Sequence, residues 1–315
     1  MSATPRVSIA VPLYNEEAGL PELLRRIGAA LDLVPGGPHE TVLVDDGSTD
    51  GSLALLEAAS VRDDRVVVIS LSRNFGHQAA LTAALDHVTG DVTIVMDGDL
   101  QDPPELIPKF LELYAQGYDV VYAQRMERKE AWWLRLSFFL FYRIFQKLSN
   151  VPVPLDAGDF GLMSRRVVEE LRRTPERHRF LRGLRSWVGF RQMALPVARP
   201  ARAAGTSKYS LRRRVGGAFD GIFAFSIFPI RAAATLGAAA IVLSVGFALY
   251  ALYAKLALHE SRSGFTALTM LITFLSGINL FFLGVVGEYV GRVYEEVKRR
   301  PPYVIGRVIR RQPRS

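Results

Sequence analysis

The sequence contains no cysteine among its 315 residues. This absence excludes thiol catalysis, disulfide bonds and thiolate metal sites. The first 120 residues are poor in basic side chains, with 7 Lys and Arg against 19 Asp and Glu, whereas the remainder has 32 against 12. The amino terminus lacks a basic segment followed by an apolar run, so we expect no cleaved signal peptide. The two halves of the chain therefore suit different surroundings.

Charge is missing altogether from two long stretches near the carboxyl terminus. Residues 232–254 and 263–287 contain no charged side chain over 23 and 25 positions. Because about 20 apolar residues in a helix span a bilayer core, we predict transmembrane helices at 231–256 and 263–289. Two buried core helices are the alternative, although an uncharged helix of this length is rare in a globular protein.

Basic residues cluster on either side of these stretches, at 199–214 and 298–314, and are sparse between them. The positive-inside rule predicts an integral protein of the cytoplasmic membrane, with the amino-terminal domain and the carboxyl-terminal tail in the cytoplasm. We expect the basic flanks to contact anionic lipid headgroups and not nucleic acid. Small residues such as Gly284, Gly287 and Gly291 allow close packing between helices, so the sequence is compatible with a homo-oligomer.

Short apolar runs alternate with helical stretches in the first half of the chain. The predicted strands lie at 6–13, 40–44, 65–70, 92–96 and 119–123. This alternation predicts a mostly parallel, Rossmann-like α/β sheet that binds nucleotides. We expect a catalytic domain over 1–210, an interfacial amphipathic segment over 211–230 and, after the two spans, a basic tail over 290–315. Residues 132–148 fit either an interfacial helix or a helix packed on the sheet.

Two aspartates one residue apart, Asp97 and Asp99, directly follow the fourth predicted strand. Open α/β sheets bind ligands at the carboxyl ends of such strands. Two neighbouring carboxylates repel each other unless a cation lies between them, and hard oxygen ligands favour Mg²⁺ or Mn²⁺. The same ion can hold the phosphates of a substrate. Taken alone, the pair is equally well explained as an acidic turn.

Polar clusters follow three of the predicted strands. They are Tyr14-Asn15-Glu16, Asp45-Asp46-Gly47-Ser48 and Asp97-Gly98-Asp99. Because the carboxyl ends of parallel strands meet at one edge of a sheet, we expect the three clusters to lie close together. Such an edge can bind a nucleoside through carboxylate hydrogen bonds and its diphosphate through a metal ion.

The same segments resemble the inverting family 2 glycosyltransferases of the GT-A fold. The resemblance is carried by Pro12-Leu13-Tyr14-Asn15-Glu16, by residues 44–50 and by residues 97–105. Within that family the chain looks like the polyprenyl-phosphate glycosyltransferases, meaning dolichol-phosphate mannose synthases and bacterial bactoprenol glucosyltransferases. This narrower resemblance rests on the two spans and on residues 72–76, 158–160, 179–184 and 204–209. The resemblance runs from about residue 6 to 305.

The resemblance implies roles for individual residues of the donor site. The positions that match nucleoside-binding residues are Pro12, Tyr14, Glu16, Val44 and Asp46. The positions that match the metal and diphosphate segment are Asp97, Gly98, Asp99 and Gln101, of which Asp97, Asp99 and Gln101 correspond to metal ligands. The implied cofactor is Mg²⁺ or Mn²⁺.

Three basic residues and one carboxylate complete the implied site. Arg125 matches an arginine near the reacting phosphates, and Arg202 and Lys208 match a loop that closes over the donor. Cations at these positions would stabilise a departing nucleoside diphosphate, although Arg125 and Arg202 also fit surface or lipid-headgroup charges. Asp159 lies where related enzymes that glycosylate hydroxyls place a base. Here we expect it to orient a substrate or a basic residue, and the predicted catalytic residues are Asp99, Arg125 and Asp159.

The predicted activity is transfer of one sugar from a UDP- or GDP-linked donor to an undecaprenyl or dolichyl phosphate at the cytoplasmic membrane face. The reaction is a metal-assisted single displacement with inversion, and the lipid phosphate, already ionised, needs no general base. Two alternatives stay open, namely a membrane glycosyltransferase acting on a lipid or glycan hydroxyl and an inactive nucleotide-sugar-binding scaffold. The sequence does not identify the sugar. His77 and His87 lack ligand-spaced partners and are predicted to be structural.

Overall fold

The computed structural model describes residues 4–125, 157–177, 179–197, 228–257 and 264–311. These residues belong to two compact units. The first unit contains the described residues up to 197 together with 301–311, and the second contains 228–257 and 264–300.

Strands and helices alternate through the first unit, as the sequence predicts. The strands are β1 (Val7–Leu13), β2 (Glu40–Asp45), β3 (Val66–Leu71), β4 (Val92–Val95), β5 (Val120–Arg125), β6 (Ala157–Ser164), β7 (Gln192–Val197) and β8 (Ile305–Arg310). The helices are α1 (Leu20–Asp32), α2 (Ser52–Arg62), α3 (His77–His87), α4 (Ile107–Ala115), α5 (Arg165–Arg173) and α6 (Leu181–Trp187), with a 3₁₀ turn at Pro104–Leu106. The second unit consists of α7 (Phe228–Ala257) and α8 (Phe265–Val297).

The described strands form one eight-stranded sheet in the order β7-β5-β6-β4-β1-β2-β3-β8. β1 lies parallel to β2 and β4, β2 lies parallel to β3, and β5 lies parallel to β7. β6 runs antiparallel to β4 and β5, and β8 runs antiparallel to β3. The predicted mostly parallel α/β sheet is therefore confirmed.

The middle of the sheet is buried, and its strands consist mostly of aliphatic residues. Ile9, Leu43 and Ile94 have no exposed surface, as expected for parallel strands covered on both faces. α1 packs on this core through side chains spaced three or four residues apart, which places them on one helix face. These side chains are Leu20, Leu23, Ile27 and Leu31.

The second unit contains two long apolar helices. α7 has 30 residues and α8 has 33. Within the described residues, the stretch Phe274–Val297 of α8 is long and apolar enough to cross a membrane, whereas the apolar stretch Thr235–Phe247 of α7 is shorter. Several large apolar side chains of α8 are exposed, including Leu280, Phe281 and Leu283. One candidate span is thus found, and the second span stays a prediction.

The carboxyl-terminal segment is more ordered than the basic tail expected at 290–315. α8 continues to Val297, and β8 adds an edge strand to the sheet of the first unit. Ile309 of β8 packs against the hydrophobic core, while most of the strand is solvent-exposed. The pairing with β3 supplies hydrogen-bond partners that a basic, mostly exposed sequence pattern does not reveal.

Candidate active site

The loops after β1 and β2 bind each other at the carboxyl edge of the sheet. The backbone N–H of Asn15 donates to Ser48 Oγ at 3.0 Å, and the N–H of Thr49 donates to Asn15 Oδ1 at 2.8 Å. Asn15 adopts a left-handed backbone conformation with φ 53°, which asparagine tolerates better than most residues. The first two predicted clusters are therefore in direct contact.

Asp46 lies at the centre of this edge and is 2% exposed. Its carboxylate accepts hydrogen bonds from the backbone N–H groups of Phe75, at 2.7 Å, and Gly76, at 2.9 Å. Burial raises the pKa of Asp46 in spite of these two bonds. Asp46 thus anchors the loop after β3, and each of its oxygens keeps acceptor capacity for a further donor.

The Asp97-Gly98-Asp99 segment turns tightly after β4. A Cβ atom at Gly98 would lie 2.3 Å from Leu13 Cδ2, so any other residue here would require the buried Leu13 side chain to move. The N–H of Asp97 donates to Asp102 Oδ2 at 3.0 Å, and Asp99 Oδ1 accepts from the N–H of Gln101 at 3.2 Å. The segment is therefore fixed beside the first strand-end cluster.

A small open cleft lies next to this segment. Asp97 and Gln101 line it from the loop after β4, Gly158 and Asp159 line it from β6, and Val197 lines it from β7. The antiparallel insertion of β6 between β4 and β5 brings Asp159 to the same place as Asp97. The structure thus brings together three of the predicted site residues, Asp97, Gln101 and Asp159.

Asp159 is buried and ion-paired. Arg182 Nε donates to its Oδ1 at 2.9 Å, and the fully buried Arg185 lies close by, donating to the Gly158 carbonyl at 3.3 Å. Burial opposes ionisation, but the charge of Arg182 and the contact with His77 outweigh it and hold the pKa of Asp159 far below its usual range. An ionised carboxylate of this kind is a weak base.

His77, for which the sequence predicts a structural role, lies beside two of the predicted site residues. It begins α3, directly after Gly76, and its Nε2 lies 3.6 Å from Asp159 Oδ2 and 3.8 Å from Asp97 Oδ1. Burial opposes protonation, but Asp159 and Asp97 outweigh it and raise the pKa of His77. The available signal was its place immediately after the 72–76 motif, at the end of a strand.

Comparison with known proteins identifies the family. The model for glycosyl transferase family 2 matches residues 8–172, a range that contains all three strand-end clusters. The chain belongs to this family. The glycosyltransferase has the GT-A-like α/β fold that its sequence predicts.

Its relatives match along nearly their whole length. A Bacillus subtilis protein described as an uncharacterized glycosyltransferase, YkcC, is 42% identical over 97% of this chain and 94% of its own. The SfII prophage-derived bactoprenol glucosyl transferase of Shigella flexneri is 37% identical over 98% of this chain and 100% of its own. The undecaprenyl-phosphate 4-deoxy-4-formamido-L-arabinose transferase of Pseudomonas aeruginosa is 40% identical over 98% and 91%.

The other predicted site residues of the glycosyltransferase lie on β1, β2 and β5, in the loop after β1, and outside the described part of the chain. Pro12 and Val44 are buried neighbours in the β1–β2 register, whereas Tyr14 is 41% exposed. The backbone N–H of Glu16 donates to Ser52 Oγ at 3.0 Å. Arg125 is the last residue of β5, in register with Val197. The predicted residues Arg202 and Lys208 lie outside the described part of the chain.

The carboxylates near the cleft fit a divalent ion that is coordinated partly by the protein and partly by substrate phosphates. Within the described ranges, no group of three or more Asp, Glu, His or Cys side chains is arranged to hold a metal by itself. Mg²⁺ in phosphate-transfer sites is commonly held by one or two carboxylates together with substrate phosphates and water. Asp97 lines the cleft and Asp99 lies two residues further along the same loop, so this loop offers two carboxylates of the kind that such a site uses.

Proposed function

We propose that this glycosyltransferase transfers a single sugar from a nucleotide-sugar donor to a polyprenyl phosphate at the cytoplasmic membrane face. The observation that carries the acceptor class is the environment of Asp159, which is buried and paired with Arg182 at 2.9 Å, and this pairing lowers the pKa of Asp159. A hydroxyl acceptor needs a base whose pKa lies near the working pH. A lipid phosphate carries its negative charge already and needs none.

The names of two relatives support the same acceptor class. The Shigella flexneri relative is a bactoprenol glucosyl transferase, and the Pseudomonas aeruginosa relative acts with undecaprenyl phosphate. Both match this chain over nearly its full length. We therefore extend a polyprenyl-phosphate acceptor to this chain, and leave the sugar and the choice between UDP and GDP to experiment.

In the proposed donor site the nucleoside lies at the edge formed by the loops after β1 and β2. Its residues are Pro12, Tyr14, Glu16, Val44 and Asp46. Asp97, Asp99 and Gln101 face the diphosphate and, when present, Mg²⁺ or Mn²⁺, which would neutralise charge on the leaving group. Gly98 lets this segment approach β1.

The proposed reaction is a single displacement with inversion. A phosphate oxygen of the acceptor forms a bond to C1 of the sugar as the bond from C1 to the donor's diphosphate breaks, and the nucleoside diphosphate departs with the electron pair. Arg125, Arg202 and Lys208 are proposed to stabilise the phosphates by charge. Asp159 keeps Arg182 and His77 in place and takes no proton.

Membrane attachment is proposed through two spans. α8 supplies one candidate span and α7 is proposed to supply the other. The basic residues that flank the charge-free stretches favour a cytoplasmic catalytic domain. This arrangement gives the catalytic domain access both to cytosolic nucleotide sugars and to a lipid acceptor.

A donor screen tests the proposal. Membranes containing the overproduced protein are incubated with undecaprenyl phosphate and a panel of radiolabelled UDP- and GDP-sugars, with Mg²⁺ or Mn²⁺. We expect one dominant lipid-linked product, absent from membranes containing Asp99→Ala. Binding of a donor without any lipid-linked product across the panel would instead indicate an inactive nucleotide-sugar-binding protein.

A further inference from the structure

β8 makes contacts that the proposed function does not use. It follows α8 in the chain, after residues 298–304, and pairs antiparallel with β3 at the edge of the sheet. A strand in this place covers backbone groups of β3 that would otherwise be open to solvent. A segment that follows the candidate membrane span in the chain is thus part of the eight-stranded sheet.

Two further hydrogen bonds extend this attachment beyond β8 itself. The backbone N–H of Ser72, just after β3, donates to the carbonyl of Val304 at 2.9 Å. The hydroxyl of Tyr303 donates to Asp86 Oδ2, near the end of α3, at 2.7 Å. The carboxyl-terminal segment is therefore bound both to the start of the loop between β3 and α3 and to the helix that follows it.

That loop, residues 72–76, is the one bound to Asp46. Two of its backbone N–H groups donate to the Asp46 carboxylate, at 2.7 and 2.9 Å. The backbone of Gly47, next to Asp46, is closely packed against this loop, since a Cβ atom at Gly47 would lie 2.6 Å from the carbonyl carbon of Arg73. A close-packed region transmits a displacement to its neighbours, so a shift of the loop at Ser72 would move Asp46 as well.

We propose that β8 is a positioning strand of the donor site, which fixes residues 72–76 against Asp46 and so presents this carboxylate to the donor. The inference rests on the proposed function, in which Asp46 binds the nucleoside. The loop also leads into His77, whose imidazole lies beside Asp97 and Asp159. The same strand therefore supports both the nucleoside end and the diphosphate end of the donor site.

The test replaces Val308 and Ile309 together with proline in the full-length protein, purified in detergent. Backbone N–H groups point alternately to the two sides of a strand, so two adjacent prolines remove at least one donor that faces β3. Val308→Thr is the matched control, because it changes an exposed side chain of β8 and keeps the backbone. UDP and GDP, each with Mn²⁺, are the binding probes, measured by calorimetry.

We expect affinity for the nucleotide that binds the wild-type protein to fall about tenfold in the double-proline variant and to stay unchanged in Val308→Thr. The Michaelis constant for undecaprenyl phosphate should change little. An unchanged nucleotide affinity with a lower melting temperature would overturn the proposal, because β8 would then act only as a stabilising edge strand.

Two more variants keep the outcomes separate. Tyr303→Phe leaves the backbone intact and removes the hydrogen bond to Asp86. If the double-proline variant does not fold, Tyr303→Phe decides the matter, and we expect it to weaken nucleotide binding about two- to threefold. Unchanged nucleotide binding in Tyr303→Phe would then refute the positioning role. Asp46→Asn tests the donor assignment itself. Unchanged nucleotide binding in Asp46→Asn defeats the proposed donor site, whereas weakened binding there with normal binding in the β8 variants defeats the β8 inference alone.

Discussion

Replacement of Asp159 with asparagine decides whether this carboxylate supports the site by its charge or acts as a base. Its side chain is 5% exposed, pairs with Arg182 at 2.9 Å and lies 3.6 Å from His77. The fully buried Arg185 lies against the neighbouring Gly158. Asparagine keeps the shape of the side chain and removes the negative charge from among these cationic groups.

The expected loss of stability follows from that environment. Removing one partner of a buried ion pair costs about 3–5 kcal/mol, because the other charge stays in a medium of low dielectric constant. Arg182 is 35% exposed and can be partly hydrated, so we take the lower end, about 3 kcal/mol. For a domain of this size, that loss lowers the melting temperature by roughly 6–12 °C.

The pH dependence has a defined sign. The pKa of Asp159 in the folded protein lies below the unfolded value of about 3.9. The stabilisation is therefore fully present above about pH 5 and is lost as the pH falls through the folded pKa. Wild-type protein and Asp159→Asn should differ most between about pH 5 and the pKa of His77. The difference should shrink in acid, where Asp159 is protonated, and also at alkaline pH, where His77 loses the proton that Asp159 stabilises.

Thermal unfolding and sugar transfer, measured on the same detergent-purified samples across pH, test this prediction. We expect the pH profile of kcat to keep its shape in Asp159→Asn, with a lower kcat because the site is less ordered. A general base typically contributes about 10²–10⁴ in rate. A variant that melts at the wild-type temperature, loses about that factor in kcat and no longer shows an acid limb in its profile would refute the reasoning.

Asp99→Ala should abolish transfer while leaving the protein in the membrane fraction, because it removes a carboxylate of the proposed diphosphate segment; near-normal turnover of the purified variant would contradict this. Gly98→Ala places a Cβ 2.3 Å from Leu13 Cδ2, so the donor Michaelis constant should rise about tenfold and fall again when Leu13→Ala is added. Equal donor constants in Gly98→Ala and wild type would disprove the steric argument. Asp119→Asn breaks the pair with Arg166 and should lower the urea midpoint at neutral pH. Burial opposes ionisation of Asp119, but Arg166 outweighs burial and lowers the pKa of Asp119. The difference in urea midpoint between the variant and wild type should therefore vanish as the pH falls through the folded pKa of Asp119. A difference that persists in acid would exclude the charge pair as its cause.

The central strands and the loops after them are predictable from the sequence for a physical reason. Each of β1 to β4 is buried in the sheet and consists mostly of aliphatic residues, and short segments of this composition are distinctive. Parallel pairing then places Asp46 and Asp97 at the same edge. The contact between Asn15 and Ser48 follows from that topology.

The environment of Asp159 is not predictable in the same way. Asp97 follows β4 and Asp159 lies on β6, and the antiparallel pairing of these two strands joins residues far apart in the chain. His77 lies between their carboxylates at the start of α3. Helical or strand periodicity encodes which face of an element is apolar, and it does not encode which distant polar side chains meet.

The carboxyl-terminal segment shows the same limit. Arg307 and Arg310 give this segment the composition of a basic tail. Most of β8 is exposed, and its sequence lacks the apolar alternation that would predict a strand. Its place is fixed by backbone pairing with β3. Residues 265–287 of the charge-free stretch do fall within α8, because length and apolarity can be read directly from a sequence.

The acceptor's head group tests the central claim most directly. The purified protein is given its preferred radiolabelled donor with undecaprenyl phosphate or with undecaprenol, at equal concentrations in the same detergent. We predict label in the lipid phase with the phosphate alone, in a product whose sugar is joined through a phosphodiester. Transfer to the alcohol at a comparable or higher rate would contradict the account. A hydroxyl acceptor needs a general base, and the pairing with Arg182 lowers the pKa of Asp159 too far for that role.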